Sequence, residues 1–235
     1  MTVKKEDRMT HPHNEAPVNP LPPVVVALFL VLAGIELTLW LGTQGLVGGP
    51  GAVGWRTGAI ETYGFSGVAF DWMLDNGLWP TEHLVRFVSY PFLHASFSHG
   101  LFAMVILLAM GKIVTEAMGA LTFVLIFFLS TIVGALAFGL LTDDPWLIGA
   151  FPPVYGLIGG FTLLLWMRLG VEGAPQIRAF TLIGLLLLVQ LVFGVLFGGG
   201  NDWVADIAGF VVGFAVALLR APGGMARVLE RIRRR

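Results

Sequence analysis

The chain contains no cysteine. That excludes disulfides, thiolate metal sites and a cysteine nucleophile, and leaves stability to helix packing and backbone hydrogen bonding. Charge is also scarce, with Asp, Glu, Lys and Arg making up 12% of the 235 residues, about half the share found in soluble domains. Neither an internal repeat nor a sustained polar domain interrupts the apolar character, so a soluble globular enzyme is excluded.

Apolar residues (56%) and glycine (31 residues) are abundant. Apolar runs of about 20 residues, the length that crosses roughly 30 Å of hydrocarbon, recur along most of the sequence. Six are expected to span the bilayer: Val24–Leu41, Leu93–Ile113, Ala120–Leu141, Pro153–Leu169, Phe180–Phe197 and Trp203–Leu219, with the fourth and sixth the shortest. The expected fold class is an all-α integral membrane protein, a six-helix bundle with a long, partly helical loop after the first helix. One membrane domain is expected over 21–220, preceded by a disordered N-terminus (1–20) and followed by a basic tail (221–235). The first 20 residues have no apolar core, so the first span is expected to act as its own insertion signal.

Basic residues set the orientation. With the N-terminus inside, twelve of the fourteen fall on the cytoplasmic side, and only Arg56 and Arg86 lie outside, both in the long connection. The positive-inside rule therefore predicts cytoplasmic termini. The expected location is the inner (plasma) membrane of a bacterium. The tail arginines Arg227, Arg231, Arg233, Arg234 and Arg235 act either as a topology anchor or as a short amphipathic helix on an anionic leaflet.

The connection from Gly42 to Phe92 carries Trp55, Trp72 and Trp79, which suits a loop packed on or dipping into the outer leaflet. Phe65–Leu78 has helical spacing, with Phe65, Val68, Ala69, Trp72 and Met73 on one side and Asp71 and Asp75 on the other. Arg86 is expected to anchor this loop near the interface.

Polar residues inside the spans carry the functional information, because each must face protein, water or a partner. His94 and His99, five residues apart, would be separated by roughly 140° on an ideal helix and would not share a face. No further ligand completes a zinc set, so no metal is expected. One histidine serves a water-accessible cavity and the other pins the loop, or both are structural. Glu36 and Gln190 have no evident partner, which leaves helix-to-helix hydrogen bonding or ion transport.

Gly156-xxx-Gly160 and Gly209-xxx-Gly213 are small-xxx-small ladders that allow close backbone contact in lipid. Each has a polar neighbour, Tyr155 and Asp206. Were the ladders to cross, the Tyr155 phenol would donate to the Asp206 carboxylate and offset part of its burial cost. Protonation of the acid is the alternative.

Taken together, Arg86, Phe92-Leu93-His94-xxxx-His99, the turn from Gly111 to Gly119, Gly156-xxx-Gly160 and Ala205-xxx-Ala208-Gly209-xxx-Gly213 resemble the rhomboid family of intramembrane serine proteases over about Leu84 to Leu219. The resemblance implies a six-helix core, a Gly-x-Ser-Gly nucleophile on the fourth helix, a histidine base on the sixth and an oxyanion-holding asparagine four residues beyond the second histidine. Here the nucleophile position is read as Tyr155 in Pro153-Val154-Tyr155-Gly156, the base position as Asp206 and the asparagine position as Ala103, with only His94 and His99 matching. A serine nucleophile needs a base within hydrogen-bond reach, and neither member is present.

The expected function is that of a pseudoprotease, without the Ser/His dyad, that binds transmembrane segments of partner proteins in assembly, regulation or quality control. The alternative is an intramembrane peptidase in which Asp206 acts as general base, aided by His94. A third class, proton or ion movement through Glu36, Asp206 and Glu116, lacks a continuous polar path or an inverted repeat. The expected partners are the lipid bilayer and transmembrane helices, with no cofactor and no nucleic acid. The oligomeric state is left open.

Overall fold

The computed structural model describes residues 19–197 and 199–221. Almost all of the expected tail and of the expected N-terminal segment lies outside them. Nine α-helices are present among the described residues: α1 (Pro23–Thr43), α2 (Trp55–Tyr63), α3 (Gly67–Asn76), α4 (Thr81–Ser89), α5 (Phe97–Met118), α6 (Ala120–Leu141), α7 (Phe151–Val171), α8 (Thr181–Phe197) and α9 (Asp202–Arg220). The protein is thus an all-α membrane bundle. Helices α1, α5, α6, α7 and α9 are long and apolar enough to cross a bilayer. The expected fifth span, α8, has 17 residues and is the shortest of the six, contrary to the expectation for the fourth and sixth.

Two span boundaries differ from expectation for local reasons. Leu93 is extended, and α5 begins only at Phe97, where the Ser96 hydroxyl accepts from the His99 N–H as N-cap. The fourth span starts at Phe151, because Pro152 and Pro153 fit the first helical turn, where no intrahelical donor is needed.

α7 is the central helix: half of its most apolar window is buried, the largest share among the five long spans. Its closest neighbour is α9. A Cβ on Gly209 would meet the Pro152 carbonyl, one on Gly213 the Gly156 carbonyl, and one on Gly159 the Phe210 carbonyl. Ser130 of α6 donates to the Gly209 carbonyl at 3.0 Å, so α6, α7 and α9 meet at one point. The ladder on α7 is therefore Gly156 and Gly159. Gly160, expected to share the interface, lies at its margin: a Cβ there would be 3.9 Å from the Ala217 Cβ of α9 but closer to Ile126 and Val114 on α6 and α5, because one further residue turns the direction by about 100°.

The long connection folds as α2, α3 and α4, joined by a two-residue antiparallel bridge (Phe65–Ser66, β1, with Trp146–Leu147, β2). Phe65 thus lies in a strand rather than on the expected helix. Ser66 caps α3 by accepting from the Ala69 N–H, and Gly77, at φ 64°, ends it. The buried face of α3 is Gly67, Phe70 and Met73, while Val68 and Trp72 are exposed. Phe70 packs with Phe65, and both rings lie against Phe87, which draws the i, i+3 pair inward and leaves the other side exposed. Trp72 and Trp79 are exposed as well.

Arg86 contacts two parts of the chain beyond its own helix. Its Nη1 donates to the Gly64 carbonyl at 3.1 Å, just past the end of α2, and its guanidinium sits 5.9 Å from the Trp146 ring centre. Partial burial lowers its pKa.

Candidate functional site

The buried polar groups form two clusters. The first joins α1, α2 and the segment before α5. Arg56 bridges both carboxylate oxygens of Glu36, at 3.0 and 2.6 Å, and donates to the His94 carbonyl at 2.5 Å. Glu36 is therefore not a lone polar residue in its span. Its side chain is 1% exposed and that of Arg56 13%, so the pair is a desolvated, bidentate bridge.

His94 is fully buried. Its Nε2 accepts from the Ala150 N–H at 3.4 Å, which places the imidazole proton on Nδ1. That nitrogen lies 3.7 Å from Glu36 Oε2, too far for a hydrogen bond. Burial above all, and then His99 and Arg56, lower the His94 pKa to about 3, so it is a neutral strut and not half of an ion pair.

The two histidines do come together, contrary to the helical projection. Their ring centres are 5.4 Å apart, edge to face. The projection failed because His94 precedes the helix, on extended backbone, whereas His99 lies in its first turn. His99 Nδ1 accepts from the Ala95 N–H at 3.3 Å, and its ring stacks on Phe151 at 5.1 Å and 14°.

Both rings close on the turn that starts α7. Gly149, at φ 97°, has no room for a side chain, since a Cβ would fall 2.9 Å from the His99 ring. The N–H groups of Gly149 and Ala150 are engaged by the Tyr90 carbonyl, at 3.1 Å, and by His94. Pro152 and Pro153 then fill the next two positions after Phe151 and contribute no N–H. A helix N-terminus ordinarily offers several free donors. Of the five residues from Gly149 to Pro153, only Phe151 has an N–H not taken up in this way.

The second cluster lies between α8 and α9. Asp206 is 1% exposed, and its Oδ2 accepts from Gln190 Nε2 at 2.6 Å. The acid is therefore held by Gln190, a residue given no partner from the sequence, and not by Tyr155. Tyr155 is buried in the core one helical turn beyond Phe151. Asp206 Oδ1 and Gln190 Oε1 are buried without a partner among the described residues.

Tyr90, which precedes this region, donates its hydroxyl to the Thr131 carbonyl at 2.9 Å. Burial, together with the nearby Asp206, pushes its phenol well above the usual range, so it is a structural donor. Ala103 is fully buried in the main apolar core. No group of three or more His, Cys, Asp or Glu side chains is placed to hold a metal among the described residues.

Comparison with known proteins bears on this arrangement. Residues 81–223 match the family model described as "Rhomboid domain", which is more than half of the chain. The chain is similar to Rhomboid-like protease 3 of Toxoplasma gondii, with 30% identity over 138 residues, covering 57% of this chain and 50% of that protein. The chain spans about half the length of that relative.

Proposed function

Because the chain belongs to the rhomboid family, we propose that it is a catalytically inactive member that binds transmembrane segments of other proteins. The observation that carries this is the residue lying against the paired histidines. It is Phe151, stacked on His99. Gly149-Ala150-Phe151-Pro152 also keeps the leading glycine of the family's Gly-x-Ser-Gly pattern, which favours Phe151 over Tyr155 as the occupant of the nucleophile position. A phenyl ring cannot attack a carbonyl. In either register the nucleophile is missing.

The electrostatics agree. Acyl transfer needs free donors aimed at the developing oxyanion, yet from Gly149 to Pro153 only the Phe151 N–H is neither engaged nor replaced by proline. At the base position Asp206 is occupied by Gln190. The family's site therefore keeps its architecture without its reaction. We further place the membrane domain over about 21–220 and both termini in the cytoplasm, on the strength of the skewed basic residues.

The experiment is direct. Purified protein, reconstituted with a general transmembrane substrate, is expected to give no cleavage and no labelling by a fluorophosphonate probe. Cleavage that disappears in Asp206→Ala would overturn the proposal in favour of an unusual peptidase. The register has its own test. Phe151→Ser combined with Asp206→His should gain fluorophosphonate labelling, because it restores a nucleophile and a base, whereas Tyr155→Ser with Asp206→His should stay unlabelled. The opposite pattern would return the nucleophile position to Tyr155.

A further inference from the structure

We infer that Met225–Arg235 recognises an anionic lipid surface, seating as an amphipathic helix in the plane of the membrane where α9 leaves it. The partner is the layer of phosphate-bearing headgroups, and the inference does not depend on the proposed client binding.

The fold delivers the chain to that surface. α9 has 19 residues, about 28 Å at 1.5 Å per residue, which matches the hydrocarbon and sets Arg220 at its edge. There the helix stops. Ala221 is extended (φ −70°, ψ 129°) and packs into the main core, while Arg220 Nε donates to Thr122 Oγ1 of α6 at 3.3 Å. Pro222 has no N–H with which to resume the α9 ladder, and Gly223 and Gly224 allow the chain to turn in any direction. Residues 225–235 therefore begin at the interface, close to a fixed point.

The order of those residues, and not only their charge, fits that position. On helical spacing Met225, Val228, Leu229 and Ile232 fall within an arc of about 100°, the width of an apolar stripe. Arg227, Arg231 and Arg234 fall opposite with Glu230, and Arg233 and Arg235 flank the stripe on its two sides, where their long stems reach headgroups. A basic face opposite an apolar one is the pattern of a membrane-surface helix. A topology anchor needs the arginines alone, and gives no reason for four apolar residues to share a side.

The neighbouring protein surface is basic as well. α7 and α9 run in the same direction, as the approaches of Gly209 to Pro152 and of Gly213 to Gly156 require, so the connection after α7 lies at the same end as Arg220. It carries Arg178, exposed like Arg220, and neither is ion-paired among the described residues. The two acids described at this end, Glu116 and Glu172, face Lys112 and Arg168.

The test uses the full chain, which has no cysteine, so that Ile232→Cys or Glu230→Cys carries a single environment-sensitive fluorophore. The protein is reconstituted in phosphatidylcholine vesicles with or without phosphatidylglycerol, and quenched by acrylamide from the water or by a nitroxide lipid from the membrane. With phosphatidylglycerol, the label at 232 is expected to be shielded from acrylamide and quenched by the lipid, and the label at 230 to stay open to water. Neutral vesicles, or Arg231→Gln/Arg233→Gln/Arg234→Gln in anionic ones, should lower the ratio of seated to free segment about a hundredfold. High salt should act in the same direction. Equal exposure of both labels in anionic vesicles would overturn the inference and leave the arginines as a topology anchor. So would shielding at 232 that is as strong in neutral vesicles, or that comes without quenching by the lipid, since the segment would then be seated by apolar contact alone or on protein. The comparison of the two lipid compositions at 232 decides without the arginine variant.

Discussion

Alanine at Gly213 is expected to destabilise the bundle by about 3 kcal/mol, the upper end of the cost of overpacking a well-filled site. The added carbon would collide with the Gly156 carbonyl, and a backbone carbonyl inside a central helix cannot turn aside as a side chain does. Relief requires α9 to move away from α7, which also stretches the 3.0 Å bond from Ser130 to the Gly209 carbonyl. Gly209→Ala should behave alike, since its carbon would meet the Pro152 carbonyl. Gly160→Ala should cost far less, because the first atom in its way is the Ile126 methyl terminus at 3.0 Å. Gly184→Ala in α8, with nothing within 4 Å of the new carbon, should lie within about 0.5 kcal/mol of wild type. Reversible unfolding in mixed micelles, read as a shift in the denaturing detergent fraction, would rank the four. A Gly213→Ala protein as stable as wild type would refute the α7 to α9 contact.

That ranking also separates what the sequence discloses from what it hides. Spans are legible because the hydrocarbon imposes a length and a composition on each, and α9 shows its contact face because both Gly209 and Gly213 lie on it. The partner face on α7 is only partly legible, since Gly156, Gly159 and Gly160 offer two overlapping ladders and only the neighbours show that Gly159 makes the closer approach to α9 than Gly160. His94 and His99 looked divergent because a helix was assumed through both, when a serine cap at Ser96 delays it. The polar pairings were hidden for a different reason. Glu36 with Arg56, and Gln190 with Asp206, join elements separated by loops, where no periodicity connects the partners. The cost of burying an acid is local information, but what relieves it depends on tertiary placement. The stack of Phe151 on His99 is not legible in the sequence, because an aromatic in an apolar run looks like core.

Arg56→Ala is expected to cost about 3 to 5 kcal/mol, the range for removing one partner of a buried ion pair. It would leave the Glu36 carboxylate, 1% exposed, without a counter-charge, and release the His94 carbonyl as well. Glu36→Gln should be milder, because the charge then left over is on Arg56, whose 13% exposure gives it some contact with the outside and whose bond to the His94 carbonyl persists. Arg56→Lys should recover only part of the loss. An ammonium is a point charge and cannot bridge two carboxylate oxygens and a carbonyl in the plane of one fork. The double variant Glu36→Leu/Arg56→Leu should be more stable than Arg56→Ala, since an apolar pair removes the stranded charge. Unfolding in mixed micelles measures all four. If Arg56→Ala and Glu36→Gln cost the same small amount, the bridge contributes little and α2 is held by its apolar contacts. The expected order instead makes this pair the clamp that fixes the His94 segment, and through the Ala150 N–H the turn that carries Phe151.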